Sequence, residues 1–195
     1  MLRKAFHFYG DSFRGLSRSV WILSLVMLIN RAGAMVLPFL TIYLTSQLSF
    51  TLPQAGWVMS SFGLGSVLGA FLGGKLTDRF GYYPVQLWSL ILTAFMFWSL
   101  TLVSTFAGFC VVIFLTSLIA DAFRPAAMVA VAAYSREENR TRSFALIRLA
   151  INLGYAVGPA LGGLIALTQG YFWLFVIDGA TCLAAALIFR LYLNP

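Results

Sequence analysis

Residues 149–163 read LAINLGYAVGPALGG, an apolar run with glycine at every fourth position and a proline near its centre. The glycines are Gly154, Gly158 and Gly162, and the proline is Pro159. In a helix exposed to water, each glycine would cost about 1 kcal/mol and the proline about 3 kcal/mol relative to alanine. In a lipid bilayer the same spacing is useful, because small residues four positions apart let two helices approach closely. The stretch therefore predicts a membrane helix with one flat packing face.

The composition of the whole chain indicates a membrane protein. Of its 195 residues, 61% are hydrophobic and 10% are charged, and the mean hydropathy is +0.89. A soluble domain carries roughly 25% charged residues, whereas about 20 apolar residues make a spanning helix. Six stretches qualify, at 20–45, 55–74, 84–103, 107–133, 144–167 and 172–193. We predict an all-α membrane protein with a tail over residues 1–19 and a six-helix transmembrane bundle over residues 20–195.

The positions of the basic residues predict the orientation in the membrane. Lysine and arginine occur in the N-terminal tail and in the loops 75–83 and 134–143. The alternate loops, 46–53, 104–106 and 168–171, contain neither. Because cytoplasmic loops carry an excess of basic residues, we expect both termini in the cytoplasm, with a bacterial inner membrane as the location. This bias explains the net charge of +7, so no nucleic acid partner is expected.

Two motifs carry a resemblance to a known family. The stretch GYAVGPALGG matches G-x-x-x-G-P-x-x-G-G at each fixed position, namely Gly154, Gly158, Pro159, Gly162 and Gly163. The stretch GKLTDRFG matches G-x-L-x-D-R-x-G at Gly74, Leu76, Asp78, Arg79 and Gly81. With these motifs the chain resembles the N-terminal half of proton-coupled drug antiporters of the major facilitator superfamily. The resemblance implies the N-terminal six-helix bundle of that fold, built from two three-helix repeats.

The 74–81 motif has two interpretations. From the residues alone, Gly74 and Gly81 permit a tight connection between two spans. Asp78 then stands just ahead of the third helix, where the helix dipole favours an anion. The resemblance implies instead a conformational latch, in which Asp78 and Arg79 hold the cytoplasmic side shut in one state and release it in the other.

Polar residues deep in the predicted spans are the candidate functional groups, because a charge at that depth costs at least about 2.5 kcal/mol. Asn30 and Arg31 fall near the middle of the first span and Asp121 near the middle of the fourth. Arg124 follows Asp121 by three residues, on the same helix face. The resemblance implies that the first and fourth helices line a central cavity. Asp121, paired with Arg31 or Arg124, is then either half of a structural ion pair or the titrating carboxylate of a substrate or proton site.

Further polar residues complete the candidate set. Arg148 and Asn152 lie on the fifth span, and Arg148 is near enough to its cytoplasmic end to snorkel to the surface. Asp178 of the sixth span is expected to cap a helix or to form hydrogen bonds within the bundle. Members of the family usually carry an arginine in the fourth helix about a dozen residues before its proline, where this chain has Ile113 and Phe114. The resemblance therefore leaves open which residues couple transport to protons.

Three functions follow from these patterns. The antiporter motif favours proton-coupled export of small amphipathic molecules by alternating access, and the same fold supports proton-coupled import of a peptide or sugar. A truncated membrane protein that transports nothing is the third. No metal, cofactor or enzymatic activity is expected, since the spans contain no metal-ligand spacing and no nucleophile–base pair.

The expected partners are a small-molecule substrate, protons, the bilayer and a second six-helix bundle. This bundle would come from a separate C-terminal half or from a second copy of the chain. The second span carries a ladder of its own, Gly65, Gly69 and Gly73. The resemblance puts the second and fifth helices at the boundary between two bundles, so both ladders are expected to face the second bundle.

Overall fold

The computed structural model describes residues 15–194. Arg3, Lys4 and Arg14 of the predicted basic tail lie outside the described residues. The α-helices of the described part are α1 Arg18–Ala32, α2 Val36–Ser46, α3 Leu52–Phe80, α4 Tyr82–Leu100, α5 Phe106–Tyr134, α6 Arg140–Thr168 and α7 Phe172–Tyr192. The seven helices form six spans that are long and apolar enough to cross a membrane, because α1 and α2 together form one span. The prediction of an all-α protein with six transmembrane helices is confirmed.

Local sequence signals determine where several helices begin. Ser17 and Thr105 each accept a hydrogen bond from a first-turn amide of the helix that follows, α1 and α5 respectively. Thr51 and Gln54 form a capping box at the start of α3. These side chains satisfy amides that the first turn of a helix leaves without partners. The caps therefore fix the first residues of α1, α3 and α5.

The first span is broken, although the sequence predicted one helix over residues 20–45. Its α1 half ends at Ala32, and its α2 half begins at Val36. Pro38 lies in the first turn of α2. The backbone N–H that proline lacks would have no hydrogen-bond partner within the helix at this position. If α1 continued without a break, the proline ring would clash with the carbonyl group of Ala34, four residues earlier. Pro38 is thus a sequence signal that favours the break.

Asp178 of α7 caps the N-terminus of α2. Its carboxylate accepts hydrogen bonds from the backbone N–H of Met35 at 3.0 Å and from that of Val36 at 2.9 Å. Asp178 is 1% exposed, so these amides would have no water to replace the carboxylate. The expectation that Asp178 forms hydrogen bonds within the bundle is confirmed, and the residue stabilises the break in the first span.

We expect Asp178→Leu to lower the stability of the protein by about 2 kcal/mol, because the buried amide of Val36 loses its acceptor and that of Met35 keeps only the carbonyl group of Gly33. Asp178→Asn keeps one acceptor oxygen and should lose less. Thermal unfolding of the purified protein in neutral detergent, followed by circular dichroism, measures both. Glu138→Leu, at an exposed loop position, is the control for replacing an acid with leucine. Equal melting temperatures for Asp178→Leu and the wild type would show that the cap contributes nothing.

Both ends of the described chain lie at the same end of the bundle. The side chain of Asn139 donates to the carbonyl group of Gly15 at 3.1 Å, and that of Ser17 donates to the carbonyl group of Tyr134 at 2.7 Å. The Tyr134 hydroxyl donates to the carbonyl group of Asn194 at 2.6 Å. These bonds join the beginning of α1, the α5–α6 connection and the end of α7, as an even number of spans requires.

The charges of the connections are confined to this same end. The α3–α4 turn belongs to it, because the rings of Tyr82 and Tyr134 are in edge contact with centroids 5.6 Å apart. The connections at the opposite end, 47–51, 101–105 and 169–171, contain no charged residue. The asymmetry in basic residues is therefore a property of the folded bundle as well as of the sequence.

The α3–α4 turn differs from the predicted loop over 75–83. Helix α3 continues to Phe80, and the turn consists of Gly81 alone, with φ +88°, a conformation that glycine adopts without strain. Asp78 therefore lies in the last turn of α3, and the prediction that it stands just ahead of the third helix is wrong. Gly74 is helical with open space around it, so the turn does not use it.

The glycine ladder of α3, Gly65, Gly69 and Gly73, packs against α5. A methyl group built on Gly69 would overlap the carbonyl oxygen of Leu118, and one on Gly73 would lie 2.5 Å from the Cα atom of Ala122. Gly65 meets the same helix one turn further along. All three glycines are buried. The ladder therefore lets α3 and α5 pack backbone against backbone.

The second ladder, Gly154, Gly158 and Gly162 of α6, packs against the first span. A methyl group on Gly154 would lie 2.6 Å from the Cβ atom of Arg31, and one on Gly162 would lie 3.0 Å from the Cβ atom of Met35. Gly158, between them, faces the end of α1. The expectation that both ladders face a second bundle is wrong, because both are used inside this one. Their spacing indicates a close contact, but it does not identify the neighbouring helix.

Two apolar clusters fill the bundle, and a polar layer separates them. One cluster includes Leu23, Met27, Phe123 and Phe189, and the other includes Leu40, Leu44, Phe109 and Phe175. Along the helices, several residues between the clusters are polar. They include Asn30 and Arg31 in the first span, Thr93 in α4, Thr116 and Asp121 in α5, and Asp178 in α7. The predicted candidates of the first and fourth spans thus lie midway through the bundle.

Candidate substrate cavity

A cavity of about 170 Å³ opens in the polar layer. Asn30 and Arg31 line it from the end of α1, and Asp121 and Arg124 line it from α5. Four of the six predicted cavity residues are therefore brought together, at matched depth. The cavity is smaller than the roughly 300 Å³ at which sites for drug-sized ligands begin.

Asp121 pairs with Arg124, one of the two partners predicted. The Nε atom of Arg124 lies 2.9 Å from Oδ1 of Asp121. Asp121 is 6% exposed, whereas the side chain of Arg124 is 53% exposed. The pair therefore extends from the interior of the bundle to the exposed surface on which Arg124 lies, which we call the open side of the bundle. A ligand or a second protein surface on that side can reach Arg124 without displacing any helix.

Arg31 forms no ion pair with Asp121, nor with any other carboxylate in the part of the chain that the structure describes. Its Nε atom is buried and has no hydrogen-bond partner among the described residues. Its guanidinium carbon lies 5.5 Å from the centroid of the Tyr155 ring, which gives a cation–π contact. The backbone of Arg31 is held against Gly154 of the second ladder, so close helix packing fixes the position of this charge.

Arg148 and Asn152 do not line the cavity. Both are exposed on α6, on the face that carries Tyr155 three residues after Asn152. They lie beyond the enclosed space, toward the basic end of the bundle.

Several apolar and weakly polar walls of the cavity were not predicted from the sequence. They are Phe62 and Ser66 of α3, Phe97 of α4, Tyr155 of α6 and Cys182 of α7. Phe97 lines the cavity because α4 turns part of its surface inward. The sequence contained a signal for Tyr155, because its spacing puts it on the same helix face as the predicted candidates Arg148 and Asn152. For Phe62 and Phe97 there was none, as aromatic residues are common on both sides of a membrane helix.

The 74–81 motif lies at the basic end, away from the cavity. Asp78 and Arg79 are exposed, and they form no ion pair with each other in the described structure. The guanidinium carbon of Arg79 lies 5.2 Å from the centroid of the Phe80 ring. In this arrangement both charges are free to meet another surface.

The sequence profile of the Major Facilitator Superfamily matches residues 20–195. The chain belongs to the Major Facilitator Superfamily. Among its relatives is the uncharacterized MFS-type transporter YqjV of Bacillus subtilis (strain 168), 33% identical over 131 residues, which are 67% of this chain and 32% of YqjV. The multi-drug resistance efflux pump PmrA homolog of Lactococcus lactis subsp. lactis (strain IL1403) is 26% identical over 132 residues, 66% of this chain and 33% of that protein.

The fold is that of a solved POT family transporter. The in meso crystal structure of the POT family transporter PepTSo matches with a TM-score of 0.80 and 22% identity, over 89% of this chain and 37% of PepTSo. The chain spans about a third of the length of these relatives. Membership in the Major Facilitator Superfamily and the six apolar spans make the chain a multi-pass membrane protein, as predicted, and the relatives are named as a transporter and an efflux pump, not as enzymes.

Proposed function

We propose that the chain forms the N-terminal bundle of a proton-coupled exporter of small amphipathic molecules. The observation that carries the proposal is the pair of Asp121 and Arg124 in a cavity halfway through the bundle. Ionisable residues at that depth are costly and mark substrate or proton pathways. The PmrA homolog, named as a multi-drug resistance efflux pump, and the antiporter motif favour export over import.

The proposed chemistry is an exchange of partners at Asp121. When Asp121 takes up a proton it loses its charge, and its attraction to Arg124 weakens. Arg124 is then free to meet substrate or solvent on the open side, where most of its side chain already lies. Release of the proton restores the pair. Proton binding and cavity rearrangement are thereby linked through one short contact.

A second six-helix bundle is the proposed partner, supplied by a C-terminal half or by a second copy of the chain. Each span contains an apolar stretch of 18 residues. Of these residues, 22% are buried within the bundle in the second and fifth spans, against 39% or 44% in the other four. Exposed apolar residues of α3 and α6 include Leu64, Leu68, Leu153 and Leu161. These outward faces, rather than the glycine ladders, would pack against the second bundle.

The 74–81 motif has a proposed role as a latch on this partner. The side chains of Asp78 and Arg79 are exposed at the end of α3, where a second bundle could engage them in one conformation and release them in the other. Such a latch needs the charges to be free in the single bundle, as they are.

The proposed orientation puts the basic end, with the 1–19 tail, in the cytoplasm of a bacterial inner membrane. Single cysteines at Asp78 and Glu138 should then react only with reagents that reach the cytoplasm, and those at Ser49 and Ser104 with impermeant reagents added outside. All four positions are exposed, and Cys110 and Cys182 are replaced by serine beforehand. Labelling of intact cells by an impermeant maleimide is the measurement. Labelling at Glu138 from outside would reverse the orientation.

Transport itself is tested in proteoliposomes that contain the bundle together with a second bundle. Addition of an amphipathic substrate to vesicles under a pH gradient should produce a substrate-dependent proton flux, read from an internal pH-sensitive dye. Absence of any proton flux across a panel of anionic, neutral and cationic amphiphiles would count against a proton-coupled exporter and favour a protein that transports nothing.

A further inference from the structure

The three charged residues of the polar layer, Arg31, Asp121 and Asp178, are not equally supplied with hydrogen-bond partners. The carboxylate of Asp121 is directed at Arg124 at 2.9 Å. The carboxylate of Asp178 is directed at the backbone amides that begin α2. Both buried acids therefore have their partners, and Arg31 has no acceptor for its buried Nε atom among the described residues.

A buried guanidinium N–H without an acceptor is an expensive arrangement, because that N–H group has lost its water and gained no hydrogen bond in return. The ring of Tyr155 offsets part of this cost by a cation–π contact, but a ring face accepts no N–H hydrogen bond of ordinary strength. An anionic group in the cavity would supply the missing acceptor. The guanidinium group is suited to a carboxylate, since its planar N–H groups match two carboxylate oxygens.

The rest of the cavity fits the other end of such a molecule. Phe62 and Phe97 form aromatic walls. Within the described part of the chain, the side-chain amide of Asn30 makes one long contact of 3.7 Å, with the sulfur atom of Cys182. An aromatic or aliphatic body would lie against the walls, and its carboxylate would lie at Arg31 and Asn30.

We infer that the cavity selects small amphipathic organic anions, bound through a carboxylate at Arg31, in preference to amphipathic cations. This inference rests on the proposed function, because it names the substrate class of the same cavity. Arg31 is the residue that determines specificity, and Asp121 with Arg124 is the separate pair that responds to protons.

A series of three probes with one carbon skeleton tests the inference. The probes are 2-naphthoate, 2-naphthamide and (2-naphthylmethyl)ammonium, which differ mainly in charge. Calorimetric titration of the purified protein in neutral detergent, with protein-free micelles as the blank, gives their affinities. Because hydrogen bonds to charged groups are worth about 1.5–3 kcal/mol, naphthoate should bind at least about tenfold more tightly than naphthamide, and the ammonium probe should bind most weakly.

Variants of Arg31 assign the preference to one residue. Arg31→Gln should lower the affinity for naphthoate to that for naphthamide, with the affinity for naphthamide unchanged, which also shows that the cavity is intact. Arg31→Lys keeps the charge and should retain part of the preference. Arg190→Gln, at an exposed position in the last turn of α7, removes one positive charge elsewhere and should change nothing.

Three results would overturn the inference: tighter binding of the ammonium probe, unchanged naphthoate binding in Arg31→Gln, or no binding of any probe. The proton-flux assay separates this inference from the proposed function. Arg31-dependent binding of naphthoate without proton flux would leave the anion site standing and count against transport. Proton flux driven by the ammonium probe but not by naphthoate would support transport and eliminate the anion site.

Discussion

Asp121→Asn is expected to abolish substrate-dependent proton flux while the protein still folds and inserts. Asparagine has the shape of aspartate and keeps an oxygen that can accept the 2.9 Å hydrogen bond from Arg124. An amide cannot take up or release a proton as a carboxylate does, so the exchange of partners proposed for Arg124 is lost. The effect on coupling should be near-complete, because no second carboxylate lines the described cavity.

The measurement is proton flux in proteoliposomes with the second bundle present, alongside the binding of 2-naphthoate. Binding should survive in Asp121→Asn, since the inferred anion site lies at Arg31. Glu138→Gln, an acid-to-amide change at an exposed loop position, is the matched control and should retain full flux. Full flux in Asp121→Asn would eliminate this carboxylate as the coupling site, and Asp178 would then be the next acid to examine.

The sequence predicted the spans well because composition alone decides them. An apolar run of about 20 residues that crosses lipid is stable only when it is helical; five of the six runs form one helix each, and the first forms α1 and α2. The ends were less predictable. Helix α3 runs through Lys75 and Asp78 to Phe80, because a charged residue can remain helical at the membrane surface, and the helix ends where Gly81 adopts a positive φ.

Within the candidate site, depth was predictable and partners were not. Asn30, Arg31, Asp121 and Arg124 reached one cavity because counting from the span ends gives depth to within about a turn. The choice between Arg31 and Arg124 as partner of Asp121 depended on the rotation of two helices about their axes. That rotation is set by the glycine ladders, and their neighbours could not be identified from the sequence.

Gly69→Leu is expected to disrupt the bundle itself. The Cβ atom of any larger residue at this position would overlap the carbonyl oxygen of Leu118, which belongs to a helix backbone and cannot turn aside as a side chain can. Overpacking of a well-packed core costs about 1–3 kcal/mol and occasionally more, and a contact with backbone belongs at or above the upper end of that range. Helices α3 and α5 would have to separate, which opens the wall of the cavity between Phe62 and Asp121.

Thermal unfolding of the chain alone, without a second bundle, is the decisive measurement, because it separates packing inside the bundle from packing between bundles. Gly63→Leu is the matched control, since Gly63 lies on the same helix and a methyl group there would meet no atom within 4 Å, so this variant should melt like the wild type. Gly69→Ala should fall between the two. If Gly69→Leu left the stability of the single bundle intact and weakened only its association with a second one, the ladder would face outward, and the interior contact with α5 would be wrong.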